Sequence, residues 1–154
     1  MTKYLPLDTL IELAQTKTDE ATRSLGLLQT AQTSATGKLD MLLQYRREYL
    51  ERLQVQMRAG VAAAELRNFQ HFIDTLDIAI EQQRAVTLQA ESRLATGRSD
   101  WRHSKRRLTS FDTLADRARQ QALIALAKRE QKDNDERTSR RFFTPRNSDF
   151  SQLA

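Results

Sequence analysis

Apolar side chains recur along the second half of the chain at alternating steps of three and four. The series runs Leu66, Phe69, Ile73, Leu76, Ile80, Gln83, Thr87, Ala90, Leu94, Gly97, Trp101, Ser104, Leu108, Phe111, Ala115, Ala118, Ala122 and Ala125. Fourteen of these eighteen positions are apolar, and the register never skips. The first half carries the same pattern at Leu25, Leu28, Gln32, Ala35, Leu39, Leu42, Arg46, Tyr49 and Leu53. Leu7, Leu10, Ala14 and Ala21 join that register through one extra residue, a stutter. A mean repeat of 3.5 sustained over so many turns predicts a coiled-coil seam.

Start and stop signals divide the pattern into two helices. Thr9 with Glu12 three residues on reads as a capping box, with Asp8 a competing cap and Pro6 just ahead. From there no residue forces a stop before Arg58-Ala59-Gly60-Val61, where Gly60 can take the left-handed conformation past a helix end. The expected elements are a helix over about 9–57, a turn over 58–62 and a helix over about 63–137. Residues 138–154, with Pro145, Asn147, Ser148 and Ser151, read as a flexible tail.

A short break between long amphipathic helices favours an antiparallel pair. Folding about Val61 sets Leu53 near Phe69, Tyr49 near Ile73, Leu42 near Ile80 and Leu28 near Leu94. Ala21 then meets Trp101, and Ala14 meets Leu108, small against large as knobs-into-holes packing requires. The fold class is therefore all-α: two long helices forming an antiparallel coiled-coil hairpin over residues 1–137, with a disordered C-terminal tail. At 1.5 Å per residue the helices would be roughly 73 and 110 Å long, a rod in which the second overshoots the first.

Composition closes off most other readings. Both prolines, Pro6 and Pro145, lie near the ends, and 154 residues contain only four glycines, too few turn formers for an all-β fold. With no cysteine there is no disulfide frame, thiolate nucleophile or cysteine metal site. His71 and His103 stand 32 residues apart, on different levels of a rod, so they do not share a metal. No Gly-rich phosphate loop is present, and paired helices lack the concave, water-excluding pocket that catalysis uses. The chain is read as non-enzymatic, with no catalytic, cofactor-binding or metal residues. The longest apolar run, Ala122–Ala127, is too short to span a bilayer, and the N-terminus lacks a signal-peptide pattern, which predicts a cytoplasmic protein without direct membrane insertion.

The net charge of +5 is concentrated: residues 98–141 hold 13 basic and 7 acidic groups. The basic residues alternate with acidic neighbours and lack interleaved aromatics, so nucleic acid is not an expected partner. Two other features exceed what a hairpin needs. Near the tip, Tyr45 flanks Leu42 and Tyr49, while Phe72 and Ala79 flank Leu76. These residues either thicken the seam or form a patch that receives a partner. At the far end Leu123, Ile124 and Leu126, followed by Lys128, Arg129, Lys132 and Arg137, lie beyond the reach of the first helix, near Leu7, Leu10, Ile11 and Leu13. That end either frays or docks.

Three segments in order resemble the FliJ family, the small coiled-coil component of the bacterial flagellar type III export apparatus. They are Met41-Leu42-Leu43-Gln44-Tyr45-Arg46-Arg47-Glu48-Tyr49, Met57-Arg58-Ala59-Gly60, and Asn68-Phe69-Gln70-His71-Phe72-Ile73-Asp74-Thr75-Leu76-Asp77-Ile78-Ala79-Ile80. Ser99-Asp100-Trp101-Arg102 and the Leu-x-x-Leu at Leu10 also fit, and the resemblance covers about residues 5–137. It implies a stalk-like coupling factor in motility and flagellum biogenesis. The implied partners are the hexameric flagellar export ATPase, the cytoplasmic domain of the export-gate protein, and export chaperones that deliver substrates. It implies no cofactor, a monomer, and peripheral association with the inner membrane through the apparatus. The export-gate face carried over is Leu42, Tyr45, Tyr49, Phe72, Leu76 and Ala79; the ATPase-ring end offers Leu10, Leu13, Ile124, Lys128 and Arg129. A generic intracellular coiled-coil adaptor or scaffold, forming a parallel dimer or bundle, is the alternative reading of the same heptads.

Overall fold

A computed structural model describes residues 6–143. Among them are two helices, α1 (Leu7–Ala59) and α2 (Ala63–Phe143), and no strand. By contact density the chain divides after Leu108 into two units. The first contains α1 and the opening half of α2, packed against each other; the second contains the rest of α2.

Helix α1 begins earlier than a capping box at Thr9 would place it. Pro6 is the N-cap, at φ −54° and ψ 142°, and no side chain caps the first turn. Proline fixes φ near a helix-compatible value and has no N–H to leave orphaned, so the helix can start directly behind it. The Leu10 N–H donates to the Pro6 carbonyl at 3.2 Å, while Asp8 adds a carboxylate to the positive end of the helix dipole. Thr9 therefore lies inside the helix, and the Thr9–Glu12 capping box does not form. The turn is also tighter than expected, three residues rather than five: Gly60, Val61 and Ala62. Gly60 adopts φ +90°, a conformation side-chain-bearing residues rarely take, and this reverses the chain. Helix α2 continues to Phe143, past the expected end near 137, because the first residue that breaks a helix is Pro145. Residues 144–154, most of the expected tail, lie outside the described residues.

In the first unit the burial pattern follows the heptads. Every α2 seam position from Leu66 to Leu108 is half-buried or buried, with Leu76, Ile80, Leu94 and Leu108 the most enclosed apolar ones. Cross-helix contacts share one fold-over point near Val61. Tyr49 packs at a tilt against Phe69 and Phe72, with centroids 4.9 and 4.3 Å apart. Arg46 Nε donates to Asp77 Oδ1 at 2.6 Å. Gln83 and Thr87 meet Ala35, Trp101 meets Thr22, and Thr18 meets Ser104. Gly97 sits at a close approach: a Cβ there would lie 2.5 Å from Leu28 Cδ1, the tip of a side chain that would have to shift. The antiparallel pairing is thus the one the sequence predicts, with large side chains set against small.

The second unit is a stretch of α2 with little cover. Phe111 is half-buried and Ala115 buried, but every residue from 116 to 143 is exposed. Ala118, Ala122 and Ala125 continue the seam register without its burial.

Candidate functional site

Near the hairpin tip the expected gate face resolves into layers. Leu76 is only 8% exposed and belongs to the seam itself, so it supports the surface rather than presenting it. Leu42 and Ala79 are half-buried flanks. Tyr45, 54% exposed, and Phe72, 43% exposed, reach solvent. Tyr49 lies between: half-buried, it makes tilted ring contacts with both Phe72 and Phe69. Tyr45, Glu48, Tyr49, Arg52 and Phe72 line one shallow groove, apolar at its floor with a carboxylate and a guanidinium at its rim. Aromatic floors with a polar rim suit protein recognition, because they bury much apolar area at little entropic cost.

The residues expected at the ATPase-ring end fall in different units. At the start of α1, Leu10 is half-buried and Leu13 is 50% exposed. On the later part of α2, Ile124 is 56% exposed, flanked by Leu123 and Leu126 at 65% and 54%, with Lys128 and Arg129 exposed behind them. This run presents aliphatic side chains to water and basic groups a turn later. Among the described residues no group of three or more His, Cys, Asp or Glu is placed to hold a metal, and His71 and His103 are both exposed.

Two threonines of α1, Thr18 and Thr22, lie outside the apolar series yet bond at the seam. Thr18 is buried at the stutter, its hydroxyl donating to the Ala14 carbonyl at 2.8 Å with the Ser104 carbonyl at 3.3 Å. Trp101 Nε1 donates to Thr22 Oγ1 at 3.0 Å. The available signal for Thr18 was its place four residues after Ala14 and three before Ala21, which fills the skipped step.

The model of the family described as "Flagellar FliJ protein" matches residues 2–147. The chain is 37% identical over 136 residues to the flagellar FliJ protein of Salmonella typhi, covering 88% of this chain and 92% of the relative. This chain belongs to the flagellar FliJ protein family. The FliJ protein of Escherichia coli (strain K12) agrees, at 35% identity over 136 residues with the same coverage. Among solved structures, CT670 from Chlamydia trachomatis, described as a YscO homologue, superposes with a TM-score of 0.65 over 86% of each chain. At 16% identity that likeness speaks for the helical fold alone. FliJ membership makes the chain a non-enzymatic coiled-coil component of flagellar type III export. No helix among the described residues is long and apolar enough to cross a membrane.

Proposed function

We propose that this FliJ-family chain couples the hexameric flagellar export ATPase to the cytoplasmic domain of the export-gate protein and assists export chaperones in delivering substrates. It does so as a cytoplasmic monomer that associates with the inner membrane only through the apparatus. The observation that carries the reading is the solvent-facing aromatic groove at the hairpin tip, where Tyr45 and Phe72 are displayed on a rigid seam. This groove takes the gate domain, with Leu42, Tyr49, Leu76 and Ala79 shaping it from beneath. The ATPase takes the exposed run at Ile124, Lys128 and Arg129, and separately the start of α1 at Leu10 and Leu13. An exposed aliphatic run is a solubility liability unless a partner covers it. Coupling further requires that the chain bind some states of the ring better than others, since equal affinity would shift nothing.

The test uses full-length protein with purified gate domain and ATPase. Tyr45→Ala with Phe72→Ala should weaken gate-domain binding about tenfold or more, as expected for aromatic anchors. Helix content and ATPase co-purification should stay unchanged. Ile124→Ala with Lys128→Ala should do the reverse. Tyr49→Ala is a poor probe, because Tyr49 also packs on Phe69. Loss of ATPase binding in the tip variant, with the gate still bound, would overturn the assignment.

A further inference from the structure

The apolar surface at the tip does not end at the groove. On α2, Phe72, Ala79 and Val86 follow one another at steps of seven, so the row runs straight along one flank of the seam. On α1, Tyr45 and Ala31 share a row on the same flank, with Met41 beside it. Met41 and Val86 are 56% and 50% exposed, and Ala31 is exposed as well. A helix that packs on one neighbour needs only the narrow stripe of the seam; a further apolar row beside it belongs to helices that meet two. The opposite flank is different. Between residues 31–55 of α1 and 68–90 of α2 it carries six charged residues, Asp40, Arg47, Asp74, Asp77, Glu81 and Arg84. The flank of Tyr45 carries three over the same span, Lys38, Glu48 and Arg52.

We infer that the flank from Phe72 to Val86 seats a third helix, an amphipathic one with an acidic edge, which the export-gate domain lays along the shaft. The inference rests on the assignment of the tip groove to the gate domain and adds the form of what enters it. The row from Phe72 to Val86 is about 21 Å long, four turns of an incoming helix. Beyond Val86 the row continues as Arg93 and Asp100, and the apolar seat ends there. The charges supply the edge. Glu48 accepts a hydrogen bond from Gln44 Nε2 at 3.1 Å. The side chains of Lys38 and Arg52 have no ion-pair or hydrogen-bond partner among the described residues. They stand seven residues before and after Tyr45 in its own row, so carboxylates two heptads apart on the third helix would meet both. The α2 border of the seat is uncharged, with Thr75, Gln82 and Gln89, so only the edge that faces α1 has to be acidic. Ion pairs at such a rim steer and orient a partner, while the apolar rows hold it.

The test uses the full-length chain, which has no native cysteine, with purified gate domain. Thr75→Cys, Gln82→Cys and Gln89→Cys, made one at a time and labelled with a photo-crosslinker, place three reporters along the exposed border of the seat. The gate residues they capture should lie in one continuous segment and advance by about seven residues per step in a single direction. Met41→Ser with Val86→Ser, both at exposed sites, should weaken gate binding about fivefold or more with helix content unchanged. Lys38→Glu with Arg52→Glu should also weaken it, by a factor that shrinks as salt is raised. Ile78→Ser with Leu88→Ser, exposed on other faces, should leave binding unchanged. If Tyr45→Ala with Phe72→Ala weakens binding while Met41→Ser with Val86→Ser does not, or if the captured residues scatter over separate segments, the groove acts alone and there is no third helix. If neither pair matters, the assignment of the tip to the gate fails as well.

Discussion

The two parts of α2 are built from similar residues and have opposite fates. From Leu66 to Leu108 every third or fourth side chain is removed from water by α1, and even the polar positions Gln83, Thr87 and Ser104 are half-buried or buried. From residue 116 to 143 the helix exposes everything, including Leu123, Ile124 and Leu126. A helix gains most of its stability in water from packing one face, since its nucleus is costly and its propensity small. The difference therefore separates a segment that stabilises the fold from one that is available to something outside it.

The strongest way to break this contrast is to truncate matched aliphatic residues in each part. Ile80→Ala removes a side chain that is 4% exposed and should cost about 2–4 kcal/mol by chemical denaturation. Ile124→Ala, 56% exposed, should change stability by no more than about 0.5 kcal/mol. Equal effects would mean that the later stretch is packed after all. Amide exchange sharpens the same contrast without mutation. Protection should be high for seam amides such as those of Ile80 and Leu94, and at least about a hundredfold lower for residues 118–140, whose opening breaks almost no tertiary contact.

Smaller effects probe how closely the helices approach. Gly97→Ala gains up to about 1 kcal/mol of helix propensity but drives a methyl to 2.5 Å from Leu28 Cδ1. Overpacking of that kind costs about 1–3 kcal/mol, so the melting temperature should fall, and Leu28→Ala should recover part of the loss when added to Gly97→Ala. Gly26→Ala has open space in the same helical setting and should raise it slightly. The smallest effect belongs to Arg46 and Asp77, whose side chains are 38% and 46% exposed despite the 2.6 Å contact. A double-mutant cycle to alanine should give a coupling of about 0.5 kcal/mol, reduced further by salt.

Much of this was legible because a coiled coil writes its packing into sequence spacing. The seam on α2, the antiparallel pairing and the turn glycine follow from period and punctuation alone. Periodicity names the face that could be buried, but not whether anything covers it. Ala118, Ala122 and Ala125 have the right spacing and stay exposed. Thr18 escapes a pattern that counts apolar residues, whereas a threonine can be buried once its hydroxyl finds a carbonyl on its own helix. The capping box at Thr9 fails for a local reason, since Pro6 opens the helix three residues sooner than a cap at Thr9 would. At the tip, spacing located the aromatic residues but could not separate Leu76, which is enclosed, from Tyr45 and Phe72, which are displayed.

The three-residue reversal at Gly60, Val61 and Ala62 has a bearing on how this molecule can change length. So tight a bend leaves no slack to absorb an insertion in one arm. A single added residue in α1 would rotate everything before it by about 100° and turn its apolar stripe to solvent. Lengthening or shortening is tolerable only in matched blocks of seven, one taken from each arm at the same level. Each such pair moves the tip by about 10 Å along the helix axis, so hairpins of graded reach could be made that keep the same bend.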